Sequence, residues 1–200
     1  MIVEQSFNCK RNLFFFESFY HMIYSMKNIL FYKSNMGHTL KYAQALKRKI
    51  IPLEIYPIKK ISNKLIKDVD NFFFGGPLRN NKIEGLDKFL SKYEKFEDKN
   101  VFIFSTGIEP ITEEKKMDII EANGLNFYHV RFYMLPGGMD LAKLPKFKRF
   151  IILKGLEIAA KKEKQDVSLI KSSLSNHIDR TSDAYLDKMI DVYRKIIIRK

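Results

Sequence analysis

The residues best suited to chemistry lie in three short polar or glycine-rich stretches, each following an apolar run. Ser34, Asn35, Met36, Gly37, His38 and Thr39 come after the run at 29–32 and lead straight into an amphipathic stretch. A loop that opens a helix gathers backbone N–H groups and the positive end of the helix dipole in one place, an arrangement that binds anions. The hydroxyls of Ser34 and Thr39 would add donors, and Gly37 would let the backbone bend towards a ligand with no Cβ in the way. An ordinary helix entry, with Thr39 as N-cap and Gly37 as turn residue, uses the same residues. Gly75, Gly76, Pro77, Leu78 and Arg79 form the second stretch, and Ser105, Thr106 and Gly107 the third. Taken alone, the second reads equally well as a tight turn needed for chain reversal.

The elements that must position these stretches are legible in the hydrophobic pattern. From Met26 onward, short apolar runs alternate with longer amphipathic stretches, as in βα units feeding a parallel sheet. Strands are expected at 29–32, 53–56, 71–74, 101–104 and 128–134; those at 71–74 and 101–104 are nearly continuous in apolar residues, as buried parallel strands are. Helices are expected at 39–49, 85–95, 112–123 with Gly124 as a stop signal, 148–163 and 182–198. The expected fold is α/β, a doubly wound five-stranded parallel sheet with helices on both faces. Right-handed crossovers would bring the three stretches to one edge, as loops at the strand C-termini. The connection at 163–180 is the least patterned and is expected to be an exposed excursion.

Composition narrows the function classes. Two hundred residues with 46% hydrophobic content suffice for one domain with a sizeable core. The single Cys9 excludes an internal disulfide framework and any CxxC pair, which favours a reducing cytoplasm. The net charge of +13 comes from lysines spread through nearly every segment rather than from one patch, so no nucleic-acid partner is assigned. No apolar run approaches the roughly 20 residues of a membrane-spanning helix. Residues 1–25 are expected to lie outside the fold, with Met26 as the functional start; alternatively, the aromatic stretch at 13–26 is an interfacial membrane anchor. His129 and His177 stand apart with no carboxylate at metal-ligand spacing, so no metal is assigned. Neither hydroxyl-bearing loop has the nucleophile-elbow pattern, and no catalytic acid or base stands out.

The string running from Leu30 and Phe31 through Tyr32, Ser34, Gly37 and Thr39 to Ala43 and Leu46 resembles the flavodoxin family signature at every constrained position. The resemblance continues through Asn71-Phe72-Phe73-Phe74-Gly75-Gly76-Pro77 and Val101-Phe102-Ile103-Phe104-Ser105-Thr106-Gly107. It implies the family's strand order, 2-1-3-4-5, with FMN at the switch point; both are taken over from the family. It also implies that Ser34, Asn35, Met36, Gly37, His38 and Thr39 hold the FMN phosphate. Gly75, Gly76, Pro77, Leu78 and Arg79 would flank the isoalloxazine, and Ser105, Thr106 and Gly107 would meet its pyrimidine edge. The chain departs from many flavodoxins in being basic and in having no Trp, which leaves Leu78 and Ile108 as stacking residues. Arg79 and Lys82, following the ring segment, are expected to raise the reduction potential by favouring an anionic reduced ring.

Further along, Pro136-Gly137-Gly138-Met139-Asp140-Leu141-Ala142-Lys143-Leu144 and Arg180-Thr181-Ser182-Asp183 are similar to stretches of the flavodoxin-type protoporphyrinogen dehydrogenases. Those are quinone-linked, membrane-associated enzymes of haem synthesis. Three readings follow: an FMN-dependent electron carrier or oxidoreductase, a protoporphyrinogen-dehydrogenase-like enzyme, and a flavin-free binding module on the same fold. The first two imply a redox partner protein, or a small reductant or quinone, with peripheral membrane contact through cations such as Lys143, Lys146, Lys148 and Arg149.

Overall fold

The computed structural model describes residues 26–139 and 178–198, together with the single positions 146, 147, 150, 154 and 158. Eight strands are described, in chain order β1 (Asn28–Tyr32), β2 (Glu54–Pro57), β3 (Asn71–Arg79), β4 (Lys82–Ile83), β5 (Asn100–Gly107), β6 (Val130–Pro136), β7 (Gly138–Met139) and β8 (Ile178–Asp179). The helices are α1 (His38–Lys49), α2 (Asn63–Ile66), α3 (Leu86–Leu90), α4 (Glu113–Ala122) and α5 (Asp187–Ile198). Five strands pair in parallel in the order β2-β1-β3-β5-β6, with β4 folded back antiparallel on the end of β3. With that hairpin strand left out of the count, this is the expected 2-1-3-4-5 order.

Both faces of the sheet are buried, which is why its central strands read as continuous apolar runs. Leu30, Phe73, Phe102 and Phe104 point to one face, where α1 supplies Tyr42, Ala43 and Leu46 and α5 supplies Met189, Ile190, Tyr193 and Ile197. Ile29, Phe31, Phe72, Phe74, Val101 and Ile103 point to the other, against Leu86, Phe89, Phe96 and Ile119. The rings of Phe73 and Phe102 stack across β3 and β5 with centroids 4.8 Å apart. Burying such a side chain contributes about 1.5–3 kcal/mol, whereas the exposed pairs Arg48–Asp183 and Lys49–Asp187 contribute about 0.2–1 kcal/mol each. Apolar packing therefore seats α5, and the ion pairs trim its position.

Polar residues fix the register at the opposite edge from the candidate site. Asn28, Asn71 and Asn100 are cross-strand partners at the starts of β1, β3 and β5. Asn71 Nδ2 donates to Asn28 Oδ1 at 2.7 Å and Asn100 Nδ2 to Asn71 Oδ1 at 2.9 Å, while Asn28 Nδ2 donates to the Pro52 carbonyl at 2.7 Å. A slip of one residue would leave these buried amides unpaired and turn the apolar set to the wrong face.

Several elements differ from the sequence-based expectation. β3 does not stop at Phe74 but runs to Arg79, and β5 runs through Gly107, so neither glycine-bearing stretch is a loop. The physical reason lies at Gly75, where a Cβ would fall inside the Phe104 ring; glycine there makes room for a neighbour rather than turning the chain. The helix expected at 85–95 is broken into α3 and a 3-10 turn at Tyr93–Lys95, and that at 182–198 into a 3-10 turn at Asp183–Leu186 and α5. α2, β4, β7 and β8 were not anticipated, being too short to show a period. Positions 150, 154 and 158 of the helix expected at 148–163 are helical. Its other positions, residues 1–25, most of the 163–180 connection and the cations Lys143, Lys148 and Arg149 lie outside the described residues. Met26, at the expected start of the domain, is buried in the α1/α5-side core. Among the described residues, no helix is long and apolar enough to cross a membrane.

Candidate functional site

The candidate site lies at the C-terminal edge of the sheet, beside the junction of β1 and β3 from which the chain winds both ways. Residues 33–37 turn off β1 there and enter α1. Gly37 is the residue before the helix, with φ 98°, a left-handed conformation costly for a residue with a Cβ; an added Cβ would meet nothing within 4 Å. Its glycine is therefore required by the backbone conformation alone. Ser34 Oγ accepts from the Gly37 N–H at 3.2 Å and the Leu40 N–H at 3.4 Å. A hydroxyl that accepts twice still has its own proton to donate. No acidic side chain occupies the first turn of α1, and Lys47, Arg48 and Lys49 close its last turn. The helix's own sequence thus places no negative charge at its positive end.

The other expected site residues fall into two groups. Thr39 and Thr106 are buried, and their hydroxyls lie 2.8 Å apart, so they brace the loop against β5 from beneath. Ser105 is buried alongside. His38 is buried as well, with its ring towards the β7–β8 ribbon: a Cβ on Gly138 would come within 2.6 Å of its Cε1, and its Nδ1 is 3.4 Å from Asp179 Oδ1. Asn35 and Met36 remain at the rim with Gly37, and Asn35 Nδ2 donates to Glu84 Oε2 at 2.7 Å. Gly75, Gly76 and Pro77 form the floor as strand, and Leu78 and Arg79 extend beyond it into the hairpin with β4. Asn80 and Asn81, both with positive φ, make the two-residue turn of that hairpin.

Charge at this edge differs from the expectation of a cationic ring site. The Lys82 ammonium is engaged elsewhere, donating to the Ala122 carbonyl at the end of α4. Arg79 is largely exposed and lies 3.8 Å from Glu84. Glu109, just past β5, folds back onto Gly107, and its Oε2 is buried with no hydrogen-bond donor reaching it among the described residues. Glu84 and Glu109 went unnoticed in the sequence, although the Asn80-Asn81 pair between Arg79 and Lys82 was a readable hairpin signal that would have brought Glu84 to the site.

The residues on either side of 140–177, in β7 and β8, lie beside the same loop. β7 and β8 pair antiparallel, and the Gly137 N–H donates to the Gly107 carbonyl at 2.6 Å. Asp179 accepts from the Lys41 ammonium and, at 3.0 and 2.7 Å, from the backbone and hydroxyl of Thr181. Burial alone would raise the Asp179 carboxyl, but these donors outweigh it and hold the group well below the usual carboxylate range. Tyr42 OH donates to the Pro136 carbonyl at 2.8 Å and accepts from the Ser182 N–H at 3.4 Å. Burial pushes its hydroxyl up to about 12 despite that N–H.

A family model described as "Flavodoxin domain" matches residues 29–166, more than half of the chain, and the chain belongs to that family. No curated protein matches. Among solved structures, it is similar to a protein described as a flavoprotein from Bacteroides eggerthii, with 16% identity and a TM-score of 0.42 over 54% of this chain and 85% of that one. It is also similar to a flavodoxin from the domain Archaea, at 15% identity and a TM-score of 0.38 over 55% and 83% of the two chains. Two-electron reduced Megasphaera elsdenii flavodoxin gives 15% identity and a TM-score of 0.40 over 53% and 83%.

The residues present fit FMN. A terminal phosphate suits a loop with an available hydroxyl at the start of a helix whose own first turn carries no acidic side chain.

Proposed function

We propose that this chain binds FMN non-covalently at the C-terminal edge of its sheet and uses it in electron transfer. The observation that carries the reading is the loop of residues 34–37, set on the N-terminus of the twelve-residue α1 with no acidic side chain in its first turn. When bound, FMN supplies the electron-accepting ring, and the protein sets its position and surroundings. Ser34 and the loop amides hold the phosphate, Thr39 and Thr106 fix the loop against β5, and Leu78 and Gly107 border the ring. The single glycine of this loop favours a terminal phosphate over the pyrophosphate of FAD or NAD, which GxGxxG loops approach. The partner is a redox protein or a small reductant or quinone.

The purified protein is to be stripped of small molecules and titrated separately with FMN, FAD and riboflavin, following flavin fluorescence. FMN should bind tightest, and Gly37→Ala should weaken it at least several-fold. Absence of FMN binding, or tight FAD binding without FMN binding, overturns the reading and leaves a flavin-free binding module.

A second reading is oxidation of protoporphyrinogen with a quinone as acceptor. Its support is that Gly137 and Gly138, and Arg180 and Thr181, the two stretches carrying that resemblance, meet at the β7–β8 ribbon beside His38. Reduction of the FMN-loaded protein by protoporphyrinogen supports it. No reduction by protoporphyrinogen, with ready exchange with a ferredoxin-type reductase, supports the carrier instead.

A further inference from the structure

Asp179 belongs to β8, yet its carboxylate is set against the first turn of α1. Gly138 and Asp179 are cross-strand partners in the β7–β8 ribbon, and a Cβ on Gly138 would collide with both the Ile178 carbonyl and the His38 ring. The bare backbone of Gly138 thus lets the ribbon lie directly on the start of α1. There Asp179 Oδ1 is 3.4 Å from His38 Nδ1, and Oδ2 accepts from the Lys41 ammonium. His38 and Lys41 both belong to the turn that follows Gly37. Burial acts to raise the Asp179 carboxyl, but the hydrogen bonds from Lys41 and Thr181 hold it well below the usual carboxylate range, so it is ionised at neutral pH. The helix has no acid of its own in this turn, and the anion at its positive end comes instead from 138 residues further along the chain.

We propose that Asp179, by occupying the positive end of α1 and holding the Lys41 ammonium, weakens the attraction of the 34–37 loop for a dianion and so limits the preference for FMN over riboflavin. This rests on the FMN reading above and adds to it a residue that acts against the phosphate. A phosphate on the loop draws on the same partial positive charge that Asp179 offsets. An amide in place of the carboxylate removes a like charge from the surroundings of the phosphate and releases the Lys41 ammonium. Removing Lys41 instead leaves the Asp179 charge without that cation. The two residues therefore act in opposite directions on a bound phosphate, although both fasten the same ribbon to α1. The oxidised isoalloxazine carries no net charge, so riboflavin, which lacks the phosphate, responds to neither.

The test measures dissociation constants of FMN and riboflavin for the wild-type protein, Asp179→Asn, Lys41→Met and the double variant, at neutral pH, low salt and a temperature well below melting. Asp179→Asn should raise the preference for FMN over riboflavin about two- to five-fold, the size of a charge effect at a helix terminus. Lys41→Met should lower it by a similar factor, and the double variant should return to within about two-fold of the wild type. Both single shifts should shrink at high salt, as interactions between partly exposed charges do. A purely structural role predicts another pattern: each single variant loosens the ribbon, and both shift the preference the same way. The proposal is overturned by that pattern, by an Asp179→Asn ratio equal to or below the wild type, or by riboflavin affinity that changes as much as FMN affinity. If the wild type binds FMN no better than riboflavin, the loop holds no phosphate, and the FMN reading itself fails together with the role of Asp179.

Discussion

The hydroxyls of Thr39, at the start of α1, and Thr106, near the end of β5, lie 2.8 Å apart in the buried interior, although 67 residues separate them in the chain. One of them donates to the other, and together they tie α1 to β5 beside the candidate site. Replacing either by Val leaves the other hydroxyl buried and unpaired, at about 1–3 kcal/mol. Each single variant should therefore be destabilised by about that amount in urea, and the double variant by clearly less than the sum. Additive losses would show that the pair is not coupled.

The asparagine ladder makes a second prediction. Asn71 both donates to Asn28 and accepts from Asn100, so Asn71→Leu removes two hydrogen bonds and strands a buried oxygen on Asn28. A loss of about 2–4 kcal/mol is expected in chemical unfolding. Because the ladder lies at the edge away from the candidate site, FMN affinity measured well below the melting temperature should stay within about two-fold.

Asp179 makes the stability of the ribbon dependent on pH in one direction. Burial acts to raise its carboxyl, and the hydrogen bonds from Lys41 and Thr181 override that, so its folded value lies below the ordinary 3.8. A depressed carboxylate stabilises the fold above its ordinary value, and that contribution is lost as pH falls from about 4 through the folded value. Asp179→Asn should lower stability at neutral pH, and its difference from the wild type should shrink steadily in acid. Since the Lys41 side chain is half exposed, high salt should also reduce the difference.

Gly75 and Gly37 should answer alanine substitution for different reasons. Gly75→Ala drives a Cβ into the buried Phe104 ring, so a loss of about 1–3 kcal/mol is expected, partly restored by pairing it with Phe104→Leu. Gly37→Ala meets open space but places a Cβ at φ 98°, costing about 1–2 kcal/mol that no second-site truncation relieves. Rescue of Gly37→Ala by a smaller neighbour would overturn this distinction.

What the sequence alone determined was whatever depends on neighbours along the chain. The runs at Phe72–Phe73–Phe74 and Val101–Phe102–Ile103–Phe104 announced strands buried on both faces, and the amphipathic stretch after Thr39 announced a helix, because those periods follow from local geometry. The turn at Gly37, and a helix N-terminus able to receive an anion, were readable for the same reason. What only the tertiary structure decided was which residues meet. Gly75 looks like a turn residue until Phe104 is placed above it, and nothing local says that the hydroxyls of Thr39 and Thr106 meet. Lys82 looked like a charge for the ring until its ammonium was seen on the Ala122 carbonyl, and Glu109 drew no notice until its oxygen was buried without a donor. These pairings join positions up to 67 residues apart through strand register and crossover, and a single chain carries no local pattern that specifies them.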